Sequence, residues 1–305
     1  MGKYLWATVV INYKSELRTV KFVRDELLGK CALPQVIVVV NNGATEETSS
    51  MLSQTLCAPI VRDIGEDVAA DAALFILHNT ENSGFAKGNN LGIDFVMKHF
   101  QVDYFLFSNN DIVLRSERVV ESLVTRINQL PDVGIIGPKI VGLDGACQSP
   151  YIYLPFWTYM MRISWERFLP FKKRYAFDPD RAEEGYYYRL MGSFMLVRRD
   201  DFIRCGGMDG HTFLYGEELI LTERMLAIHK RAYYYPGVTV LHEHGQTIGR
   251  YVTLVRNHYM RLRSALYYFR TYKHVGVLSV VAAYITVSLY IWMQAIFRNF
   301  KTLKH

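Results

Sequence analysis

Apolar and polar positions along the chain follow two rhythms. The stretches "WATVVINY" (6–13), "QVIVVVNN" (35–42), "LFILHN" (74–79) and "DYFLFSNND" (103–111) are near-continuous runs of β-branched, aliphatic and aromatic residues that close on polar ones. Between them, "KSELRTVKFVRDELLG" (14–29), "GNNLGIDFVMKHF" (88–100) and "SERVVESLVTRINQL" (116–130) space their apolar residues at helical intervals, the first closing at Gly29 and the last stopped by Pro131. Uninterrupted apolar strands alternating with amphipathic helices predict βαβ units, with parallel strands buried on both faces. Such a sheet binds ligands outside the carboxyl ends of its strands. Asn12, Asn41, Asn42 and Asp111 all fall at such ends, and their convergence on one edge is a stronger signal than any one of them.

The C-terminal fifth has a different pattern. Residues 275–297, "VGVLSVVAAYITVSLYIWMQAIF", form a 23-residue run without a formal charge, and a helix of that length rises ~35 Å, enough to cross a hydrocarbon core. Tyr290 and Trp292 lie toward one end of it, as interfacial aromatics do. The preceding "YVTLVRNHYMRLRSALYYFRTYKH" (251–274) mixes Arg with Leu, Tyr and Phe at helical spacing, the pattern of a helix lying on a membrane surface. The plainer reading, two core helices capping the body, stays open beside a span and a surface helix. The expected division is a body over 1–248 and a helical region over 249–305.

Charge sharpens that division. Of 35 basic residues in this 305-residue chain, nine follow Glu243, where no Asp or Glu occurs; the rest holds 26 basic against 29 acidic residues. A mildly acidic body thus carries a basic, aromatic tail, suited to an anionic membrane surface and not, given the apolar run, to nucleic acid. Basic residues flank the run on both sides, so charge does not orient it. The four cysteines are far apart and form no CxxC pair, which argues against a zinc site or disulfide scaffold and for a reducing compartment. The N-terminal apolar run is too short for a signal peptide and leads straight into the first strand, so the body is expected in the cytoplasm.

Neither a GxxxxGK[ST] loop nor a GxGxxG after the first strand is present, which sets aside phosphate-loop and dinucleotide-binding enzymes. What remains is a nucleotide held by strand tips and a metal. Four segments carry a resemblance: "VVINYKSE" with "VIVVVNNGATEET"; "NSGFAKGNNLGI" (82–93); "FSNNDIVL"; and "GSFMLVRRDDFIRCGGMDGHTFLYGEELILTERM" followed by "YYYPGVTVLHEHG". In this order, over about residues 5–250, they resemble the family-2 glycosyltransferases of the GT-A fold that build bacterial O-antigen and capsule, rhamnosyltransferases among them. The resemblance implies an α/β fold with a Rossmann-like, mixed but mostly parallel sheet flanked by helices, followed here by membrane-associated C-terminal helices.

It also implies a site. Asn12, Asn41 and Asn42 would cradle the nucleotide base, although the family often has an Asp where Asn41 stands. Asn82, Gly84, Lys87 and Asn90 lie in the glycine-rich element: glycines permit close approach to a ligand, Lys87 offers phosphate a point charge, and Asn89 or Asn90 would start a helix whose N-terminus favours anions. Asp111 would bind Mg²⁺ or Mn²⁺ beside the donor diphosphate, with His242, or secondarily His244, as a further ligand. Asn109 and Asn110 would hydrogen-bond sugar or ribose without adding repulsive charge, and Gly192 and Ser193 would lie near the donor sugar. Glu218 matches the family's catalytic acid and Glu217 is the alternate, with Asp209 third. Each has a plain structural reading too: Asn-Asn-Asp as a turn, the two glutamates as a helix start, His242 as a core histidine.

The expected activity is inverting transfer from a nucleotide-diphosphate sugar (dTDP-rhamnose or a UDP-hexose) to a lipid-linked saccharide at the cytoplasmic face of the inner membrane, by a peripheral or single-span protein; self-association is left open. Two alternatives stand beside it. A sugar-1-phosphate nucleotidyltransferase would need a glycine-rich signature after the first strand, which is absent. A non-catalytic sugar-nucleotide binder would have Glu217 and Glu218 turned away from Asp111.

Overall fold

The computed structural model describes residues 4–69, 72–165, 177–243 and 254–302. His244 and parts of the basic tail and of the aromatic 151–188 stretch lie outside them. The elements run β1 (Trp6–Asn12), α1 (Glu16–Lys21, continued by a π-helical segment, Phe22–Leu28), β2 (Gln35–Asn42), α2 (Glu46–Leu56), β3 (Ile60–Val61), β4 (Leu74–Asn79), α3 (Gly84–His99), β5 (Tyr104–Ser108), β6 (Ile112–Leu114), α4 (Val119–Asn128), β7 (Val133–Gly142), α5 (Phe156–Trp165), β8 (Gly185–Tyr187), β9 (Phe194–Arg198), α6 (Arg199–Arg204), α7 (Glu217–Ala227), β10 (Arg231–His242), α8 (Leu254–Thr271) and α9 (Val277–Thr302).

Among the described residues the strands form one sheet in the order β3-β4-β2-β1-β5-β9-β7-β10-β6, with β8 beside β10. The half containing β1 to β5 is parallel, as the continuous apolar runs predict: all eight residues of β2 are buried between β1 and β4. Beyond β5 the sheet becomes mixed. β9 runs antiparallel between β5 and β7, β10 runs parallel to β7, and β6 pairs antiparallel with β10. Two apolar cores cover the two faces. Val10, Ile37, Leu106 and Leu196 point to one, and Val9, Val38, Phe105 and Val197 to the other, the alternation expected of buried strands.

The helix after β4 begins earlier than the spacing predicts. α3 starts at Gly84, not near Asn89 or Asn90, because Asn42 Oδ1 accepts hydrogen bonds from both the backbone N–H and the hydroxyl of Ser83 and anchors the entry. Gly84 has φ +82°, and a Cβ there would lie 2.3 Å from the Phe213 carbonyl oxygen, so only glycine fits under that loop.

The C-terminal helices are packed elements. Leu219 and Ile220 of α7, Phe156 of α5, Leu262 and Phe269 of α8, and Val287 and Tyr290 of α9 share a third core. Full burial of each large apolar side chain contributes ~1.5–3 kcal/mol. α9 is apolar on two sides. Ala283, Val287, Tyr290 and Ile291 are buried, whereas Leu278, Val281, Ile285, Leu289 and Trp292 on the opposite side are exposed. Arg256, Arg261, Arg263 and Arg270 of α8 are exposed. Among the described residues no helix is long and apolar enough to cross a membrane.

Candidate active site

The carboxyl ends of β1, β2 and β5 meet in a buried polar network. Asn12 Nδ2 donates to Asn41 Oδ1 at 2.9 Å, and Asn12 Oδ1 accepts from the Thr19 hydroxyl at 2.7 Å. Asn41 Nδ2 donates to Thr48 and Ser49, and the Ser49 hydroxyl lies 2.8 Å from His78 Nδ1. Asn110 Nδ2 donates to Ser15 and Thr19. The amide at position 41 thus makes two donations that an Asp could not, which gives the departure from the family pattern a structural reason. Asn42 forms a separate cluster: its amide donates to Asn82 Oδ1, and its oxygen accepts from Asn79 and Ser83. Asn12, Asn41 and Asn42 are buried and are hydrogen-bonded within the protein.

Asp111 sits where the chain leaves β5 and turns into β6. Pairing of β6 with β10 sets Ile112 opposite His242, and the Glu243 N–H donates to the Asp111 carbonyl at 2.9 Å. His242 Nε2 therefore lies 3.3 Å from Asp111 Oδ1. On its other side His242 Nδ1 is 2.7 Å from Gln148 Oε1, a contact that suits the tautomer with its proton on Nδ1. In the neutral ring the Nε2 lone pair then faces the carboxylate. Two acceptors side by side, one a histidine oriented by an outer hydrogen bond, fit a divalent cation. Among the described residues no group of three or more His, Cys, Asp or Glu comes together to hold a metal ion.

The Asn109 N–H donates to the Ser193 carbonyl at 2.9 Å, tying the Asn-Asn-Asp turn to the start of β9. Next to Ser193, Gly192 faces Glu218: a Cβ built on Gly192 would lie 3.8 Å from Glu218 Cβ. One short backbone segment thus joins the Asp111 turn to the first turn of α7. Among the described residues the Asn109 side chain makes no hydrogen bond within the protein, unlike that of Asn110.

The two glutamates part company at the α7 N-terminus, which Gly216 enters at φ +86°. Glu217 is buried; desolvation, and then the neighbouring Glu218, push its carboxyl up to about 8 against weaker opposing hydrogen bonds from backbone N–H groups. Burial thus favours its protonated form, which cannot accept a proton. Glu218 is partly exposed and takes a 2.8 Å ion pair from Arg189, whose guanidinium stacks 3.8 Å over the Tyr151 ring. Asp209 is set apart: Tyr267, Tyr272 and His211 all donate to its buried carboxylate, and although burial works against ionisation these bonds hold it below the usual carboxylate range. It pins α8 to the loop before α7.

The geometry therefore brings together Asn109, Asp111, Gly192, Glu218 and His242. Lys87 and Asn90 face the loop before α7. Asn90 does not start the helix as expected; its side chain bonds the backbone N–H and carbonyl of Met208, and exposed Lys87 lies along Gly210. Gln148 and Arg189 escaped the sequence reading, since neither lies in a recognisable motif and each meets its partner only through the fold, 94 and 29 residues away.

The sheet, its flanking helices and this strand-edge site define a GT-A glycosyltransferase fold. Solved structures share it: a GalNAc-T7 crystallised with UDP, GalNAc and Mn²⁺ (TM-score 0.56, 13% identity, 89% of this chain and 49% of that one), and the mannosyltransferase PcManGT of Pyrobaculum calidifontis in complex with GDP-Man and Mn²⁺ (0.52, 14%, 97% and 87%). No family model matches the chain. Among curated proteins it is 27% identical over 161 residues to the N-acetylglucosaminyl-diphospho-decaprenol L-rhamnosyltransferase of Mycobacterium tuberculosis (strain ATCC 25618 / H37Rv), 48% of this chain and 49% of that protein. It is 26% identical over 171 residues to rhamnosyltransferase WbbL of Escherichia coli (strain K12), 52% and 60%. To the hexosyltransferase Agl10 of Haloferax volcanii it is 24% identical over 213 residues, 69% and 58%. The chain thus spans about half to three-fifths of the length of these relatives. The resemblance carried by the motifs is borne out: the chain is related to the family-2 glycosyltransferases and has their GT-A fold.

Proposed function

We propose that this protein is an inverting, metal-dependent glycosyltransferase that moves a sugar from a nucleotide-diphosphate donor, dTDP-rhamnose or a UDP-hexose, to a hydroxyl of a lipid-linked saccharide in surface-polysaccharide synthesis. The observation that carries the reading is the Asp111–His242 pair and the partly exposed Glu218 on either side of the Asn109–Ser193–Gly192 link.

In this reading Glu218 takes the proton of the acceptor hydroxyl as its oxygen bonds to the anomeric carbon, while the bond from that carbon to the donor diphosphate breaks and the diphosphate leaves with the electron pair. Arg189 keeps the Glu218 carboxylate oriented. A divalent cation, Mg²⁺ or Mn²⁺, held by Asp111 and His242 would neutralise charge on the departing diphosphate. Asn109 is placed to hydrogen-bond the donor sugar or ribose. Asn12, Asn41, Asn42, Asn82 and Asn110 shape the nucleotide pocket by holding the strand ends and the α3 entry in place, and Lys87 supplies positive charge near it.

The work would be done at the cytoplasmic face of the membrane. The exposed apolar side of α9 and the exposed arginines of α8 support peripheral attachment, since a surface helix binds by apolar burial plus attraction to anionic lipid. Nucleoside diphosphate release from a panel of sugar nucleotides, with Mn²⁺ and a lipid-linked acceptor, tests the reading. Release from at least one donor that depends on both metal and acceptor is expected. No release from any donor sinks it.

A further inference from the structure

A cavity of about 500 Å³ lies on the helical side of Glu218, between α5, α7, α8 and α9. Its wall includes Arg162, Arg189, Arg261 and His258, and no carboxylate among the described residues. Arg189 is shared with the Glu218 ion pair, so the cavity adjoins the proposed base. Arg261 is held 4.5 Å over the ring of Tyr215, two residues before Glu217. Three guanidiniums thus line the wall; Arg189 meets Glu218 at its edge, and the hydroxyls of the wall residues Tyr188 and Tyr268 donate to Glu223. The remainder of the wall is aromatic and aliphatic, and it includes Tyr290 of α9, the helix whose other side exposes Ile285 and Leu289.

We infer that this cavity receives the phosphoryl anion of the lipid-linked acceptor, with Arg162 and Arg261 as its charged contacts and the aromatic wall receiving the first isoprenoid units. The inference rests on the proposed transfer to a lipid-linked saccharide and adds where the acceptor's anion is held. A guanidinium pairs with phosphate oxygens through forked hydrogen bonds. A tetrahedral anion with an apolar chain matches a wall that is cationic at one part and aromatic elsewhere. Held there, the acceptor's saccharide lies on the Glu218 side and its lipid is free to continue toward the apolar surface of α9.

The test is a titration of the full chain, in EDTA so that no cation-bound diphosphate contributes, with farnesyl diphosphate, farnesol, inorganic diphosphate and UDP. Wild-type protein should bind farnesyl diphosphate more tightly than either farnesol or inorganic diphosphate. Arg162→Gln and Arg261→Gln should each weaken farnesyl diphosphate by about tenfold, the loss of one charge-assisted hydrogen bond, with Arg261→Lys recovering part of it. Farnesol and UDP affinities should change little in these variants. Unchanged farnesyl diphosphate binding in the double variant overturns the inference. So does equal affinity for inorganic and farnesyl diphosphate, which marks a free-anion site, or a parallel loss of UDP binding, which marks a donor site. Donor turnover plays no part in the titration, so a missing transferase activity and a missing lipid-anion site are separate results.

Discussion

The carboxyl edge of the parallel strands and the helical flank beyond Glu218 are both rich in polar groups, and they use them in opposite ways. At the strand edge Asn12, Asn41, Asn110, Thr19 and Ser49 bond one another, and Asn42 bonds the turn that starts α3. On the flank, the wall shared by α5, α7 and α8 gathers arginines without carboxylates among the described residues. A network whose hydrogen bonds close on themselves is scaffold, while cationic side chains gathered on a cavity wall make a setting in which an anion can be held. The Asp111–His242 pair and Glu218 lie between these regimes: Gln148 meets His242 and Arg189 meets Glu218.

Asp111→Ala should have the largest effect. With the Asn network intact, the fold should survive, but metal-dependent donor binding and transfer should fall below detection in a donor-binding titration with and without Mn²⁺. Retained turnover would remove Asp111 from the mechanism. Next is Glu218→Gln, which keeps shape and hydrogen bonding but accepts no proton. Its kcat should fall by ~10²–10⁴-fold, the usual contribution of a general base, with donor affinity nearly constant. A larger loss in Glu217→Gln would move the base one residue back.

The scaffold side is tested by Asn12→Ala. It removes the donor to a buried Asn41 oxygen and the shortest acceptor of the Thr19 hydroxyl, so chemical denaturation should show ~1–3 kcal/mol of lost stability, with a smaller effect on donor affinity. A donor-binding defect without loss of stability would make Asn12 a ligand-reading residue instead. A pH-dependent effect concerns Glu217. Its folded carboxyl, raised from an ordinary 4.5 to about 8, binds a proton more tightly than in the unfolded chain. The folded state then holds the extra proton between pH ~4.5 and ~8, and stability falls as pH rises through that window. Glu217→Gln should flatten this slope in melting curves, matching wild type near pH 4 and exceeding it near pH 8. An unchanged slope would assign it to other groups.

The sequence by itself determined the parallel half of the sheet, because an apolar strand buried on both faces and an amphipathic helix each declare themselves within a few residues. It also placed Asp111 at a strand end and the two glutamates at a helix start, both local facts. Tertiary structure decided the rest. β9 between β5 and β7 and the return of β10 to β6 depend on pairings far apart in the chain, and these set His242 against Asp111 and Gly192 beside Glu218. Burial separated Glu217 from Glu218, although their side chains are identical and adjacent. Packing likewise turned Asn41, Asn42 and Asn90 inward, since whether an amide faces ligand or protein depends on which partners the fold brings within hydrogen-bond reach, and a single chain position carries no record of them.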